Sequence, residues 1–335
     1  PKGLGFESEE VVEDINSLSI SDYNTKYGER SMDSLSAALR GVLMADEGKV
    51  LVSADYSAIE ARVLLWLCGD ALALHKYRQG VNLYVDMAKF IYNNDAIGKD
   101  THKQEYAVGK AAVLGCGYGM GKDKFYGTCQ SWGIDIPTET AEAAVQAYRK
   151  KYKKVVEFWY AVEKAARAAV RTPGSVHSCG GGDLGTNSQL QKAPTTISGM
   201  DKRREFLVCK LPSGRHLRYF RPSLRSIETP YGEKEEIHYW CAGLGGELEE
   251  NKTYGGSLVE NIVQGTARDI MANGMLRAEE AGFPVVLTVH DELVTEVVEG
   301  EGDVDALIKA MCSLPSWAAG CPIAAEGWMG KRYRK

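Results

Sequence analysis

Apolar runs close on an acid at two distant points of the chain. Leu51 and Val52 lead to Asp55, and a helical pattern begins at once and continues as the strongly apolar segment 59–68. A short apolar run, an acid and then a helix predict a buried strand that delivers a carboxylate at its tip. Ser53 or Ser57 is the candidate cap of that helix. Far downstream, Val285–Val289 is followed by His290-Asp291-Glu292 and then by Leu293–Val297, which predicts a hairpin with acids at its turn.

The remaining pattern is mostly helical before residue 172 and mixed after it. Val11 and Val12 among Glu9, Glu10, Glu13 and Asp14 predict a short amphipathic helix followed by a connector up to residue 30. Leu35, Leu39, Val42 and Leu43 recur at helical spacing through residues 32–44, a segment that also carries Arg40, a phosphate-contact candidate or a surface residue. Tyr106, Lys110, Leu114 and Tyr118 recur every four residues, forming one stripe on a helix and turn over 101–121. Residues 138–171 read as helical, closed by Pro173-Gly174, and 174–200, rich in Gly, Ser, Thr and Asn, read as loop. Residues 206–221 predict a hairpin around Ser213-Gly214, and 227–255 a second hairpin or variable loop. Helices are predicted from Ser257 to about Ala281 and over 303–313.

Composition narrows the class without naming a chemistry. The 335 residues are 44% hydrophobic and 25% charged, an ordinary globular balance with enough chain for two subdomains. The net charge of −5 gives no global basic field, so a nucleic-acid partner would need a local groove. Eight cysteines without a C-x-x-C pair argue against a zinc site or a disulfide framework. With no secretory signal and no long apolar stretch, the expectation is a reduced, cytoplasmic protein without a membrane partner.

Several groups carry candidate chemistry. Two strand-tip aspartates, Asp55 and Asp291, suggest a shared divalent-metal site, because hard cations prefer carboxylate oxygens; for either one alone, a turn or capping role is the simpler reading. Lys110 within an aromatic and apolar stripe suits triphosphate neutralisation combined with base stacking. The basic run Arg149-Lys150-Lys151-Tyr152-Lys153-Lys154 suits single-stranded template, although a solvated helix face explains it better. Arg215, His216, Arg218, Tyr219 and Arg221 alternate basic and bulky groups along one hairpin arm, the best candidate for a DNA-facing ribbon.

Taken together, three blocks resemble a known family. Asp55-Tyr56-Ser57-Ala58-Ile59-Glu60-Ala61-Arg62 is similar to the first palm motif of family A DNA polymerases, the bacterial DNA polymerase I class, and Val289-His290-Asp291-Glu292 is similar to the last. Lys110 to Gly119 resembles the fingers helix that holds the incoming nucleotide, in phrasing closest to the bacteriophage members. The resemblance implies an α+β right-hand palm, an antiparallel sheet backed by helices, with an inserted helical fingers subdomain. Residues 1–48 would lead into the palm, 49–70 and 206–335 would form its two parts, and 71–205 the fingers. The thumb and exonuclease domain are expected to be absent from this chain, which points to a missing N-terminal portion or a separate chain bearing them.

The resemblance also assigns roles. Asp55, Asp291 and the main-chain carbonyl of Tyr56 would hold two Mg²⁺, with Mn²⁺ able to substitute. Lys110 would bind the triphosphate and act as candidate general acid, Glu60 would exclude a 2′-hydroxyl, and Tyr118 would stand beside the templating base. Tyr84 occupies the position of a phosphate-binding His, with core packing an equal alternative. Tyr106 stands where the family usually has an Arg, and Lys103 is its candidate substitute. Leu114 replaces an aromatic that stacks on the sugar. Arg62, Arg215, Arg218, Gln264, His290 and Glu292 would face primer–template DNA; Gln264 suits the minor groove, whose acceptors are common to all pairs, with a buried structural Gln as the alternative. The implied reaction is template-directed DNA synthesis from dNTPs, in phage replication within the host cytoplasm. Competing readings are a non-catalytic primer–template- or partner-binding subunit, a related RNA polymerase or reverse transcriptase, and a metal-dependent phosphohydrolase.

Overall fold

The computed structural model describes residues 8–39, 41–180, 196–200, 205–229 and 232–333; Arg40 lies outside the described residues. The chain begins with helices α1 (Ser8–Ser17), α2 (Ile20–Tyr27) and α3 (Ser31–Ala38), then strand β1 (Lys49–Tyr56). A helical stretch follows: α4 (Ile59–Leu67), α5 (Ala71–Arg78), α6 (Leu83–Tyr92), α7 (Lys103–Cys116), α8 (Lys122–Ser131), α9 (Thr138–Lys151) and α10 (Lys153–Arg171). Strands β2 (Val176–Cys179), β3 (Thr196–Met200), β4 (Phe206–Lys210), β5 (His216–Thr229), β6 (Gly232–Ala242) and β7 (Leu248–Thr253) lead into the long helix α11 (Gly255–Glu280). Strands β8 (Val285–Val289) and β9 (Glu292–Val298), helix α12 (Val304–Met311) and strand β10 (Ala325–Gly330) complete the order. Two compact units result.

The first unit gathers the chain up to Ser57, Met271–Leu314 and the stretch from Ala324 onwards. Its core is an antiparallel sheet in the order β10-β1-β9-β8. Strand β1 is central, and Val50 to Ala54 are all buried, which explains an apolar run without strict alternation. Leu51 packs with Ala45, Val294 and Tyr333, and α12 buries Leu307 and Met311. A separate small core joins Val11, Val12, Tyr23 and Ala38. The expected connector before residue 30 is therefore a second helix. Its start was legible: the Ser19 hydroxyl accepts the Asp22 N–H and donates to the Asp22 carboxylate, a local cap. The helix expected over 32–44 ends at Ala38.

The second unit holds 58–270 and 315–323. Helix α4 is buried on nearly every face, as its apolar sequence requires. Neither candidate serine caps it. Ala58 occupies the cap in a left-handed conformation (φ 52°, ψ 45°) without a side-chain bond, while Ser53 is buried in β1. The helical segment 138–171 breaks at Tyr152, whose φ of −107° and ψ of 57° separate α9 from α10. Strands β2 to β7 form a six-stranded antiparallel meander in sequence order. Residues 174–200 were expected to be loop, but Val176–Cys179 and Thr196–Met200 pair with each other, and β3 pairs onward with β4. Their Gly, Ser and Thr content hides strands that pairing stabilises. Strand β5 changes register between Phe220 and Ser223, where Pro222 has no N–H to donate and Arg221 takes φ 44°. Among the described residues no helix is long and apolar enough to cross a membrane.

Candidate active site

The two strand-tip acids meet at one end of the first unit's sheet. Asp55 pairs in register with Glu292 of β9, and the Tyr56 N–H donates to the Asp291 carbonyl at 3.1 Å. Both aspartates are half-buried. The hairpin joining β8 to β9 has only His290 and Asp291 between its last paired residues, and His290 is exposed with φ 57°. Two-residue hairpins favour a positive φ, which a non-glycine residue adopts at a cost of about 1 kcal/mol or more. The turn thereby fixes where Asp291 stands. On the other side of β1, Asp55 pairs with Glu326 of β10, an exposed acid.

Glu292 does something different from its neighbour. It is 1% exposed, and its carboxylate accepts the Ser53 hydroxyl at 2.7 Å and the Tyr333 hydroxyl at 2.5 Å. The expectation that Glu292 faces DNA is corrected: it is an internal clasp between β1, β9 and the C-terminal segment. Tyr56 is likewise buried, and its hydroxyl donates to the Met311 carbonyl at 2.7 Å, so its side chain is closed to a nucleotide and only its main chain fits the expected role. The donor set of Asp55, Asp291 and the Tyr56 carbonyl is all oxygen and suits a hard divalent cation. Among the described residues no cluster of three or more His, Cys, Asp or Glu side chains is arranged to hold a metal.

The second unit contains the nucleotide-binding candidates. Helix α7 buries Val108, Ala111, Ala112 and Cys116 and leaves Lys103 and Lys110 exposed. Two turns separate the lysines, so both ammonium groups lie on roughly the same side. Tyr106 and Leu114, between and beyond them, are half-buried. The Tyr106 ring packs edge-on against Tyr84 of α6, with centroids 6.2 Å apart and an interplanar angle of 71°. Just past the helix, the Tyr118 hydroxyl donates to Glu60 Oε2 at 2.8 Å. Burial pushes the Tyr118 phenol well up and the Glu60 carboxylate adds to it, so the phenol is the proton donor at neutral pH. Gly119 follows with φ 81°, the bend that turns the chain away after Tyr118.

Helix α11 and strand β5 carry the DNA candidates. Gln264 is exposed, as is Arg268 one turn later on the same face, which removes the buried alternative for Gln264. Asn261 instead donates to the Tyr219 hydroxyl at 3.0 Å. Arg218 is exposed on β5. Arg215 is exposed but engaged: its Nε donates to Asp269 at 2.6 Å and its Nη2 to the Gly265 carbonyl at 2.7 Å, strapping the hairpin to α11. Arg62 departs from expectation. It donates to the Pro322 carbonyl at 2.6 Å and lies over the Tyr77 ring at 4.3 Å, a packing role that takes up the guanidinium assigned to DNA. Within the basic run, Lys151 lies 2.9 Å from Asp86 and over Phe90, so it too is internal.

Residues 19–176 match the profile of DNA polymerase family A. The DNA polymerase of Bacillus phage SP02 is 35% identical over 307 residues, which are 90% of this chain and 44% of that protein. Over residues 19–176 the chain is thus similar to DNA polymerase family A. The thermostable DNA polymerase I of Thermus thermophilus is 24% identical over 304 residues, 89% of this chain and 29% of its own length. Among solved structures, the POL domain of Pol1 from M. smegmatis, in complex with DNA primer-template and dNTP, superposes with a TM-score of 0.56 at 19% identity, covering 88% of this chain and 42% of that one. The chain thus shares the fold of part of that POL domain, and it spans under half the length of these curated relatives.

Within this matched region and its continuation, three residues near the candidates escaped the sequence reading. Glu326 stands in register beside Asp55, yet in the sequence it is one acid in a closing segment. Glu260 lies on α11, where burial and then the Glu60 carboxylate raise its own carboxyl above the ordinary value. Tyr254 donates to the Tyr118 carbonyl at 3.3 Å. None belongs to a motif; each is found through pairing or packing.

Proposed function

We propose that this chain carries template-directed DNA synthesis, transferring a nucleotide from a dNTP to a primer 3′-hydroxyl in phage replication. The observation that carries the reading is the 3.1 Å bond from the Tyr56 N–H to the Asp291 carbonyl, which holds two half-buried aspartates from distant parts of the chain at one sheet end. Asp55, Asp291 and the Tyr56 carbonyl would hold two divalent ions, with Mg²⁺ suited to oxygen donors and Mn²⁺ able to replace it. When bound, such ions lower the pKa of the attacking hydroxyl and neutralise the leaving pyrophosphate.

The chain's own residues supply binding and selection. Lys110 and Lys103 would attract the triphosphate, and Lys110 would serve as the general acid for the leaving group. Tyr106 and Tyr84 form one aromatic wall beside them, so any phosphate contact from either is a phenol hydrogen bond without charge. Glu60, fixed by Tyr118, rejects a 2′-hydroxyl by crowding and by leaving it without a matching partner. Leu114 offers the sugar an aliphatic surface. Gln264, Arg218 and His290 face the primer–template. An upstream polymerase portion, in the same polypeptide or a partner chain, would add grip on the duplex.

Single-nucleotide primer extension with Mg²⁺ tests this, comparing wild type with Asp291→Ala, with and without a polypeptide supplying the upstream half. Extension that disappears in Asp291→Ala supports the reading. Primer–template binding without extension in both arms sinks it and favours a binding subunit.

A further inference from the structure

The two peptide carbonyls flanking the Tyr118 Cα are both held from outside α7. The Gly117 carbonyl accepts the indole N–H of Trp159, on α10, at 2.7 Å in a buried setting. The Tyr118 carbonyl accepts the Tyr254 hydroxyl at 3.3 Å. It is also pressed by the first turn of α11: a Cβ on Gly256 would come within 2.1 Å of that oxygen, so only glycine permits the approach. The neighbouring glycine does the same on the other side, since a Cβ on Gly255 would meet the Trp159 carbonyl at 2.3 Å. Glu163, one turn beyond Trp159 and 9% exposed, accepts the Gly255 N–H at 3.0 Å and so seats the start of α11 against α10. Arg167 lies 3.4 Å from the same carboxylate and balances its charge.

We propose that Trp159 is a positioning residue for the Tyr118–Glu60 bond, and through it for the rejection of ribonucleotides. Fixing both peptide planes around one Cα fixes the backbone of Tyr118, and with it the direction in which the ring leaves the chain. The hydroxyl then meets Glu60 Oε2 at 2.8 Å without a search among backbone states. Trp159, Glu163 and the Gly255-Gly256 pair form a bracket behind the gate, and none of them needs to touch the nucleotide. The selection part of this inference rests on the polymerase reading above; the positioning part does not.

Two measurements separate them. In the first, 3-fluorotyrosine is placed at position 118, and its ¹⁹F resonance is read in the full chain, in Glu60→Gln and in Trp159→Phe. Trp159→Phe keeps an aromatic ring but removes the N–H. The resonance should move in the direction that Glu60→Gln moves it, and an unmoved resonance overturns the proposal. Tyr254→Phe guards against a folding failure, because Tyr254 is 45% exposed and loses only the bond to the Tyr118 carbonyl. Its resonance should shift the same way by less, and no shift in either variant overturns the proposal. In the second, kcat/KM is measured for a dNTP and the matching rNTP. Trp159→Phe should lower the dNTP preference about fivefold, the size of one lost hydrogen bond, through tighter use of the rNTP and not through a fall in dNTP turnover. A moved resonance with unchanged preference overturns the selection role. If the wild type extends no primer with or without the upstream polypeptide, the polymerase reading fails, and the resonance alone decides whether Trp159 positions Tyr118.

Discussion

Tyr118 and Glu60 share a hydrogen bond of 2.8 Å in which the phenol donates and the carboxylate accepts. The phenol is pushed well up by burial and by Glu60 itself, so the direction of donation holds through the neutral range. Tyr118→Phe releases the carboxylate while keeping the ring. The expected result is a fall of about tenfold or more in dNTP-over-rNTP preference, the worth of a hydrogen bond to a charged group. Steady-state single-nucleotide incorporation reads this directly, and an unchanged ratio would mean that Glu60 is held by something other than Tyr118.

Glu292 predicts a stability effect without a binding effect. Ser53 and Tyr333, whose hydroxyls donate to it, are buried with it. Glu292→Ala removes the acceptor that the two hydroxyls share, while Ser53 keeps the Leu293 carbonyl at 3.0 Å, and should lower the unfolding free energy by roughly 1–3 kcal/mol. Glu292→Gln keeps an acceptor and should lose less. Urea melts give the ordering, and fluorescence anisotropy with a labelled primer–template should find unchanged affinity in whichever variant stays folded. Weaker DNA binding in Glu292→Gln at full stability would return this residue to the DNA-facing set.

Acid stability should depend on Asp86. Burial works to raise its pKa, but the ammonium groups of Lys76, at 2.8 Å, and Lys151, at 2.9 Å, together more than reverse this and leave it below the ordinary carboxylate value. A depressed folded pKa means that the folded state holds the charged form. The contribution is therefore complete above the unfolded value and is lost as the pH falls through the folded one. Asp86→Asn should be less stable than wild type near neutrality, and the gap should close as the pH is lowered through that window. Melting temperatures across an acid series check it; a gap that stays constant with pH would mean that the ion pairs contribute nothing.

Much of the fold was legible because its periods are local. The Leu51–Asp55 run, the α7 stripe and the hairpin around Ser213-Gly214 each announce themselves within a dozen residues. Strands β2 and β3 did not, since their polar composition suits loop and only pairing makes them strands. Local pattern was enough to find Asp55 and Asp291 at strand ends and Lys110 on the open face of a helix. The fates of Glu292 and Arg62 were not, because whether a charged side chain meets solvent or a buried partner is decided by residues far away in sequence: Ser53 and Tyr333 for one, Pro322 and Tyr77 for the other. Trp159 and Glu163 were invisible for the same reason. On a helix they look like ordinary core and surface positions.

The strand order β10-β1-β9-β8 also governs how the protein is made. Strand β1 is synthesised well before its partners, so both of its hydrogen-bonding edges wait until β9 and β10 follow. Until β9 and β10 leave the ribosome, an apolar strand from Val50 to Ala54 stands without either neighbour, while the helices of the second unit can already assemble. Long-range pairing of this kind slows folding and exposes strand edges in the interval. The nascent chain therefore carries an unpaired apolar strand from the moment β1 emerges, and a truncation that removes β10 would turn β1 from an interior strand into an edge.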